Sequence, residues 1–530
     1  MEFEITAVLP GAAGQKIRAE EGANLLKSLQ NAGIYVPAVC GGRFKCGKCA
    51  VKVTGGSLPP SAADRARFSP EELKAGWRLA CTAVLDGGIT VEIPESGEGQ
   101  FASVDAFMLN DIDKPVDVNS INIDTDIVNK SPSYSIAIDI GTTTLGFALI
   151  DTNTGKTAGR FSAVNQQRRY GGDVISRIQY ANSGGLPVLT ECIRRQIAGG
   201  VAALCGEAKI AAGEIRRTVI AGNTTMLHLL LGLSCQSLGK APFTPVTLDL
   251  TVKEYQELFG GDCSHEVIIL PGISTYVGAD ITAGIFFTGL YRRRETAVLM
   301  DIGTNGEMAL ARAGTILCTA TAAGPAFEGG NILWGTGSVP GAISRVRFNN
   351  GVFETGTIGG KPPGGICGSG VVDIVHEGLK HGFILSSGRF GDSVTPDGIV
   401  LAKNSEGRDI VFCQKDVREL QLAKSAIRTG LDALLNHAGI DYGRLDRLYI
   451  AGGFGFSLNL ESAAGIGLLP KALLPRVSLV GNSSLGGAVQ FLLNPGSENT
   501  LAEIARQAAE FSLPDDDFFN EQFIENINFA

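Results

Sequence analysis

The chain has 530 residues, too many for one core and enough for roughly three to four domain-sized units. Hydrophobic residues make up 44% and charged residues 19%, which excludes a mainly disordered protein. The 70 glycines follow no three-residue period, so collagen is excluded, and a net charge of −9 argues against a dedicated nucleic-acid binder.

The N-terminus, MEFEITAVLPG, has no basic segment followed by a long apolar one, so no secretory signal is read there. No run is long and apolar enough to span a bilayer. The expectation is a soluble cytoplasmic protein with no membrane or nucleic-acid partner. The 11 cysteines are odd in number and too sparse for a disulfide scaffold. Four fall between positions 40 and 81, and seven scatter from 192 to 413.

Residues 1–96 read as a small domain. Phe3 to Leu9 predicts a strand and Lys16 to Ala19 a second. EGANLLKSLQNAG (21–33) predicts an amphipathic helix, with Leu25, Leu26 and Leu29 on one side and Gly33 as the stop. Ile89 to Ile93 predicts a return strand. Together they suggest a β-grasp arrangement.

Inside this domain Cys40, Cys46 and Cys49 are spaced C-x5-C-x2-C, and Cys81 follows after 31 intervening residues. An iron–sulfur cluster needs four thiolates converging on a loop whose backbone N–H groups can bond the sulfurs. Gly41, Gly42 and Gly47 permit that wrapping. A zinc site would favour two C-x2-C pairs, and only one is present. The five-residue first gap and RLACTAVL (78–85) resemble the adrenodoxin-like variant of the [2Fe–2S] ferredoxins. The resemblance implies a [2Fe–2S] cluster ligated by Cys40, Cys46, Cys49 and Cys81. Arg43, Lys45 and Lys48 either dock an acidic electron partner or are solvated loop charges.

Residues 97–133 carry many Asp, Asn and Ser with little periodicity and read as an acidic linker. From 134 to 530, apolar strands alternate with helical stretches, as in a large α/β unit. One internal echo stands out. SIAIDIGTTTLGFALI (135–150) and AVLMDIGTNGEMALA (297–311) both read as strand, Asp-Ile-Gly-Thr turn, strand. Such turns lay backbone N–H groups and hydroxyls against phosphates. Gly141, Thr142, Thr143 and Thr144 form one turn, and Gly303, Thr304 and Asn305 the other. Asp139 and Asp301 are oxygen ligands suited to Mg²⁺ and to an attacking water. Glu307 and Asp280 are further candidates for ordering that water. YIAGGFG (449–455) again follows a strand, so Gly452, Gly453 and Phe454 are expected to border an adenosine.

Two small-residue helices, YVGADITAGIFF (276–287) and GNSSLGGAVQFLL (481–493), precede the second turn and follow the glycine cluster. This order is similar to that of the actin, sugar-kinase and heat-shock ATPase superfamily. The resemblance implies ATP in a cleft between two lobes with duplicated ribonuclease-H-like folds. The whole is expected as an α/β multidomain protein, a β-grasp ferredoxin followed by an actin-like ATPase.

A ferredoxin joined to such an ATPase resembles the reductive activators of corrinoid proteins. The resemblance runs through NQQRRYGGDVISRI (165–178), AGNTTMLHLLLG (221–232), PGISTYVGADITAG (271–284), AAGPAFEGGNI (322–332), GGICGSGVVDIV (364–375), VRELQLAKSAIRTG (417–430) and FNEQFIENINFA at the C-terminus. It implies ATP-dependent transfer of one electron from the cluster to the cob(II) form of a corrinoid protein, restoring cob(I) for methyl transfer. It also implies an upstream low-potential electron donor. Such clusters commonly sit at about a few hundred millivolts negative, and a one-electron shortfall of ~59 mV is a factor of ten. One departure is expected: only a short stretch separates Pro94 from the first ATPase strand, so a middle domain carried by some members reads as absent or reduced. A homodimer is compatible with the family, though not through that domain.

Two alternatives compete. One is an ATP-driven electron donor to another low-potential metalloenzyme; the other is a redox-sensing ATPase switch. Several residues read as ordinary structure: His228 as a packed helix histidine rather than a corrinoid ligand, and Cys318 and Cys367 as buried fillers. Trp334 covers either the cleft or the core. RRYGGD (168–173) either binds a phosphate or caps a helix. Gln421 and Lys424, one turn apart, read as an exposed helix face or as a polar pair beside the nucleotide.

Overall fold

Apolar residues alternate along the first strand, β1 (Glu2–Val8), so that Ile5 and Ala7 face inward and their neighbours face outward. The computed structural model describes residues 2–9, 14–32, 34, 36, 47, 49–94, 133–261, 263–454 and 458–529. The chain divides into two compact units, one of Met1–Gly97 with Asn165–Ile193, the other of Glu98–Val164 with Arg194–Ala530.

In the first unit β1 pairs antiparallel with β2 (Gln15–Glu20), setting Ile5 opposite Ile17. The helix Leu25–Asn31 starts later than its sequence pattern suggested, because the Asn24 side chain accepts from the Lys27 N–H and fixes the N-cap. Leu25, Leu26 and Leu29 are buried against Ile5 and Val91. The strands β3 (Ala50–Gly55), β4 (Trp77–Leu79) and β5 (Ile89–Glu92) complete a five-stranded sheet of order β2-β1-β5-β3-β4, in which β1 and β5 run parallel. This is the expected β-grasp. The acidic linker expected at 97–133 lies, apart from Ser133, outside the described residues.

The same unit contains RRYGGD. Asp173 accepts from the Ser176 N–H at 2.6 Å and caps the short helix Val174–Tyr180, while Arg177 donates to the Gly171 carbonyl at 2.9 Å. The capping alternative is the one the structure carries.

The second unit is built on two matching sheets. The first comprises β6 (Tyr134–Ile140), β7 (Thr144–Asp151), β8 (Lys156–Val164), β9 (Ile215–Gly222), β10 (Thr251–Glu254) and β11 (Glu266–Ile269), in the order β10-β11-β9-β6-β7-β8. The second begins with β12 (Ala297–Ile302), β13 (Gly306–Arg312) and β14 (Thr315–Thr321). An insertion follows, with a three-stranded sheet of β15 (Ala342–Asn349), β16 (Val352–Thr357) and β17 (Gly365–Ile366) and a pair, β18 (Ile399–Lys403) and β19 (Asp409–Phe412). The sheet resumes with β20 (Arg447–Ala451), β21 (Val477–Gly481) and β22 (Ala508–Glu510), giving β21-β20-β12-β13-β14-β22. In each sheet the first strand is antiparallel to the second and parallel to its other neighbour, β9 or β20. The internal echo is therefore a duplicated topology.

The helices Ala279–Thr288 and Ser483–Leu493 cross at backbone distance. A Cβ on Gly487 would lie 2.2 Å from the Ala283 carbonyl oxygen, and one on Gly284 would lie 2.8 Å from the Ser483 hydroxyl. Only glycine allows that approach.

Gln421 and Lys424 correct the sequence reading. They lie on the helix Gln414–His437 but are 3% and 1% exposed, and they hold the C-terminal segment rather than solvent or the cleft. Gln421 Nε2 donates to the Ile527 carbonyl at 3.0 Å. Lys424 Nζ donates to the Asn528 carbonyl at 2.6 Å and sits 5.4 Å from the centre of the Phe529 ring. Burial lowers the Lys424 pKa to about 8.

His228 is packed, as expected. Nδ1 meets the Thr224 carbonyl at 2.7 Å and Nε2 accepts from the Val246 N–H at 3.0 Å, and burial lowers its pKa. Cys318 and Cys367 are 0% and 1% exposed. Trp334 packs partly buried against the core of the second sheet, with Arg408 over its ring. Among the described residues, no helix is long and apolar enough to cross a membrane.

Candidate nucleotide site and cluster domain

The two turns are built alike. At the β6–β7 hairpin the Gly141 N–H donates to the Thr144 carbonyl at 2.9 Å, and a Cβ there would lie 2.7 Å from that oxygen. At the β12–β13 hairpin the Gly303 N–H donates to the Asn305 carbonyl at 2.9 Å. The β12–β13 register sets Asp301 directly opposite Glu307, and the β12–β20 register sets Asp301 beside Ala451. Gly452 follows at φ +94°, where a Cβ would lie 2.7 Å from Asp301 Oδ1. That position therefore requires glycine.

These elements enclose a cavity of about 110 Å³, with room for a phosphate group and its metal. Of the residues expected from sequence, Asp139, Gly141, Thr142, Thr144, Asp301, Gly303, Thr304, Asn305, Glu307, Gly452 and Gly453 line it, as does Asp280. Phe454 does not: it is buried with its ring centre 4.7 Å from that of Phe327. Thr143 sits at the edge, joined to the cavity through Glu328.

Charge dominates the cavity. Among the described residues, five carboxylates line it (Asp139, Asp280, Asp301, Glu307 and Glu328) and no Lys or Arg does. Burial pushes Asp301 up to about 8, helped by Asp280, Asp139 and Glu328. Burial and then Asp139 push Asp280 to about 7. Glu307 is raised well above the usual range, by burial and then by Asp280 and Asp301. Asp139 is also raised by burial, although Ser484 and Asn482 oppose the shift. Ser484 Oγ donates to its Oδ1 at 2.7 Å and Asn482 Nδ2 to its Oδ2 at 2.9 Å.

A set of carboxyl groups that hold one another's protons is suited to a hard divalent cation. Among the described residues, no three His, Cys, Asp or Glu side chains converge on one metal position. A cation here would therefore keep water and take phosphate oxygens, which is the habit of Mg²⁺. The donors fit the group.

Four polar residues of the site were not singled out in the sequence. Asn223 caps a helix through Oδ1, 3.0 Å from the Met226 N–H, while its Nδ2 donates to Thr142 Oγ1 at 3.0 Å. Asn482 does the same in the other half, capping at Leu485 and reaching Asp139. Ser484 follows it. The paired tetrapeptides GNTT (222–225) and GNSS (481–484) were the available signal. The fourth is Glu328, whose Oε2 accepts from Thr143 Oγ1 at 2.8 Å and from Thr304 Oγ1 at 2.5 Å.

In the ferredoxin-like domain, Cys49 and Cys81 are 1% and 4% exposed. Cys49 precedes β3 and Cys81 follows β4, and the Ala80 N–H donates to the Cys49 carbonyl at 2.9 Å. The sheet thus brings both to the same end of one ladder, as two ligands of a shared cluster require. Cys40 and Cys46, with Arg43, Lys45 and Lys48, lie outside the described residues.

Fold and site define a class: an iron–sulfur domain of ferredoxin type fused to a two-lobed, actin-like domain. A family model described as a 2Fe-2S iron-sulfur cluster binding domain matches residues 10–86. One described as the RACo middle region matches 134–293, and one described as the C-terminal domain of RACo, the ASKHA domain, matches 295–530. The chain is 35% identical over 423 residues to the corrinoid activation enzyme RamQ of Eubacterium limosum, covering 76% of this chain and 71% of that one. It is 26% identical over 436 residues to the [Co(II) methylated amine-specific corrinoid protein] reductase of Methanosarcina barkeri, covering 75% and 77%. A solved reductive activator for corrinoid, iron-sulfur protein superposes with a TM-score of 0.71 at 30% identity, covering 99% of this chain and 98% of that one. The chain belongs to the family of reductive activators of corrinoid proteins.

One expectation is corrected. The middle region is neither missing nor reduced: it is the stretch 134–293, read from sequence as the first ATPase half. A repeat of the Asp-Gly-Thr turn masked its separate status.

Proposed function

We propose that the protein uses ATP to drive one electron from its [2Fe–2S] cluster to the cob(II) form of a corrinoid protein, restoring the cob(I) nucleophile. The observation that carries this reading is the carboxylate-lined cleft between two mirrored phosphate turns, in a chain that also bears a cluster domain. When bound, the cluster supplies a low-potential electron, and Mg²⁺–ATP supplies the free energy.

The chain's own residues take the following parts. Cys40, Cys46, Cys49 and Cys81 hold the cluster. The hydroxyls of Thr142, Thr143, Thr144 and Thr304, with the Asn305 amide, hold phosphate oxygens. Asp139 and Asp301 anchor the water shell of Mg²⁺. Glu307, opposite Asp301 and bonded by Asn305 Nδ2 at 3.2 Å, holds a water and takes its proton. Burial, with Asp280 and Asp301 beside it, raises its affinity for that proton. Gly452 and Gly453 let the adenosine approach the backbone. Movement of the two lobes couples the cleft to the electron-transfer step. The working partners are a corrinoid protein and an upstream low-potential donor, with a homodimer as a further assembly.

The test is anaerobic. Reduced protein is mixed with a purified cob(II) corrinoid protein, and the visible spectrum is followed with and without Mg²⁺–ATP. ATP-dependent growth of the cob(I) band, lost in Cys46→Ser and in Asp301→Ala, is expected. Intact cluster reduction and ATPase activity without cob(I) from any corrinoid partner would sink the reading.

A further inference from the structure

The two phosphate turns do not merely face each other; a carboxylate joins them. Glu328 Oε2 accepts from Thr143 Oγ1 of the β6–β7 turn at 2.8 Å and from Thr304 Oγ1 of the β12–β13 turn at 2.5 Å. The two hydroxyls are themselves 3.4 Å apart. One anionic oxygen thus takes both donors, as one oxygen of a phosphate group would. We propose that Glu328 is a stand-in for the terminal phosphate: it ties the two turns when no triphosphate is present and is displaced when one binds. The proposal rests on reading the cleft as a nucleotide site.

Three observations support it. First, the donors are neutral hydroxyls, and among the described residues no Lys or Arg lines the cavity to hold two anions at once. A phosphate oxygen and the Glu328 carboxylate therefore exclude each other there. Second, the acceptor sits between the two halves. Thr143 belongs to the first turn and Thr304 to the second, 161 positions apart in sequence, and both reach the same Glu328 oxygen. Third, the segment suits a side chain that moves on a fixed base. The turn Pro325–Glu328 is anchored by Phe327, which is 2% exposed and packs at a tilt against the Phe454 ring, 4.7 Å between centres. Gly329 follows at φ +74°, where a Cβ would lie 2.3 Å from the Thr336 carbonyl. The backbone is pinned on both sides, so displacement is a rotation of the Glu328 side chain.

The consequence is selectivity. Glu328 opposes a triphosphate, which must evict it, and does not oppose a diphosphate, which stops short of it. Eviction also breaks the link between the halves at the moment the terminal phosphate replaces it. Glu328 is therefore a specificity-determining residue of the site.

The test is calorimetric titration of the full-length protein with the Mg²⁺ complex of the β,γ-imido analogue of ATP, and separately with Mg²⁺–ADP. Wild type, Glu328→Gln and Glu328→Ala are compared. Removing the competing anion is expected to tighten the triphosphate analogue on the order of tenfold in Glu328→Ala. ADP affinity stays within about twofold, and the isosteric Glu328→Gln falls between. An unchanged ratio of the two affinities, or weaker binding of the triphosphate, overturns the proposal while leaving the nucleotide site standing. A wild-type protein that binds neither ligand removes the nucleotide reading and this proposal together.

Discussion

Ser484 donates its hydroxyl to Asp139 at 2.7 Å, across 345 positions of sequence. Asp139 ends the first strand of one half, and Ser484 opens the helix that follows β21 in the other. The acid of one turn is thus held by the opposite half. Ser484→Ala leaves that oxygen without its donor in a site whose burial already favours the protonated form. The Asp139 pKa rises further, and the acid limb of the ATPase pH profile moves up with it. The dependence on Mg²⁺ concentration weakens in step. An unmoved pH profile would show that the bond is only structural.

Stability of the metal-free protein falls as pH rises. Asp280 and Asp301 are raised to about 7 and about 8, so the folded state keeps protons that the unfolded chain has already released above its ordinary carboxylate range. Their contribution is in place below that range and is lost as pH climbs through about 7 to 8. Melting temperature without divalent metal therefore declines between about pH 6 and pH 8.5. Mg²⁺ with nucleotide raises it more at the alkaline end. Asp301→Asn flattens both trends.

Cys49→Ser and Cys81→Ser each replace a buried thiol, proposed as a cluster ligand, at the end of the β3–β4 ladder. Iron content falls from about two per chain toward zero, with the visible absorption of the cluster. ATPase activity in the other unit persists, because the carboxylate cavity is untouched. Loss of both activities together would contradict the division of labour between the domains.

Phe529→Ala empties a site that is 5% exposed in the core of the second half and strips the ring from Lys424. The loss is about 3 kcal/mol, which lowers the melting temperature of so large a unit by roughly 3 to 4 °C. Calorimetry measures it, and the cluster spectrum should not change.

Much of the site was legible because its signals are local. Asp139 and Asp301 stand next to last in apolar strands that run into glycine turns, and both line the cavity; of the four cysteines expected as ligands, Cys49 and Cys81 come to one end of the β3–β4 ladder. The helix pattern of Leu25, Leu26 and Leu29 likewise foretold a buried face, though Asn24 placed its start. What escaped was long-range. Glu328 lies 24 positions from Thr304 and 185 from Thr143, and nothing around it in sequence marks a shared acceptor. Lys424 reads as a surface charge on a long helix. It is buried only because the last residues of the chain return to cover it, 104 positions later. Asn223 and Asn482 each cap a helix with the amide oxygen and reach the site with the amide nitrogen, and only the fold brings that second contact about.

The glycine contact between the helices Ala279–Thr288 and Ser483–Leu493 bears on how work leaves the cleft. Both rods begin there, with Asp280 in the first turn of one and Ser484 in the first turn of the other. Each runs ~15 Å away from the carboxylates. At Gly487 and Ala283 they meet backbone to backbone, with the Phe287 ring over Gly486 and the Ser483 side chain over Gly284 locking the crossing on either side. Two helices from opposite halves thus start at one group of carboxylates and stay locked together beyond it, so a change of charge at the cleft acts on both halves through a single packed joint.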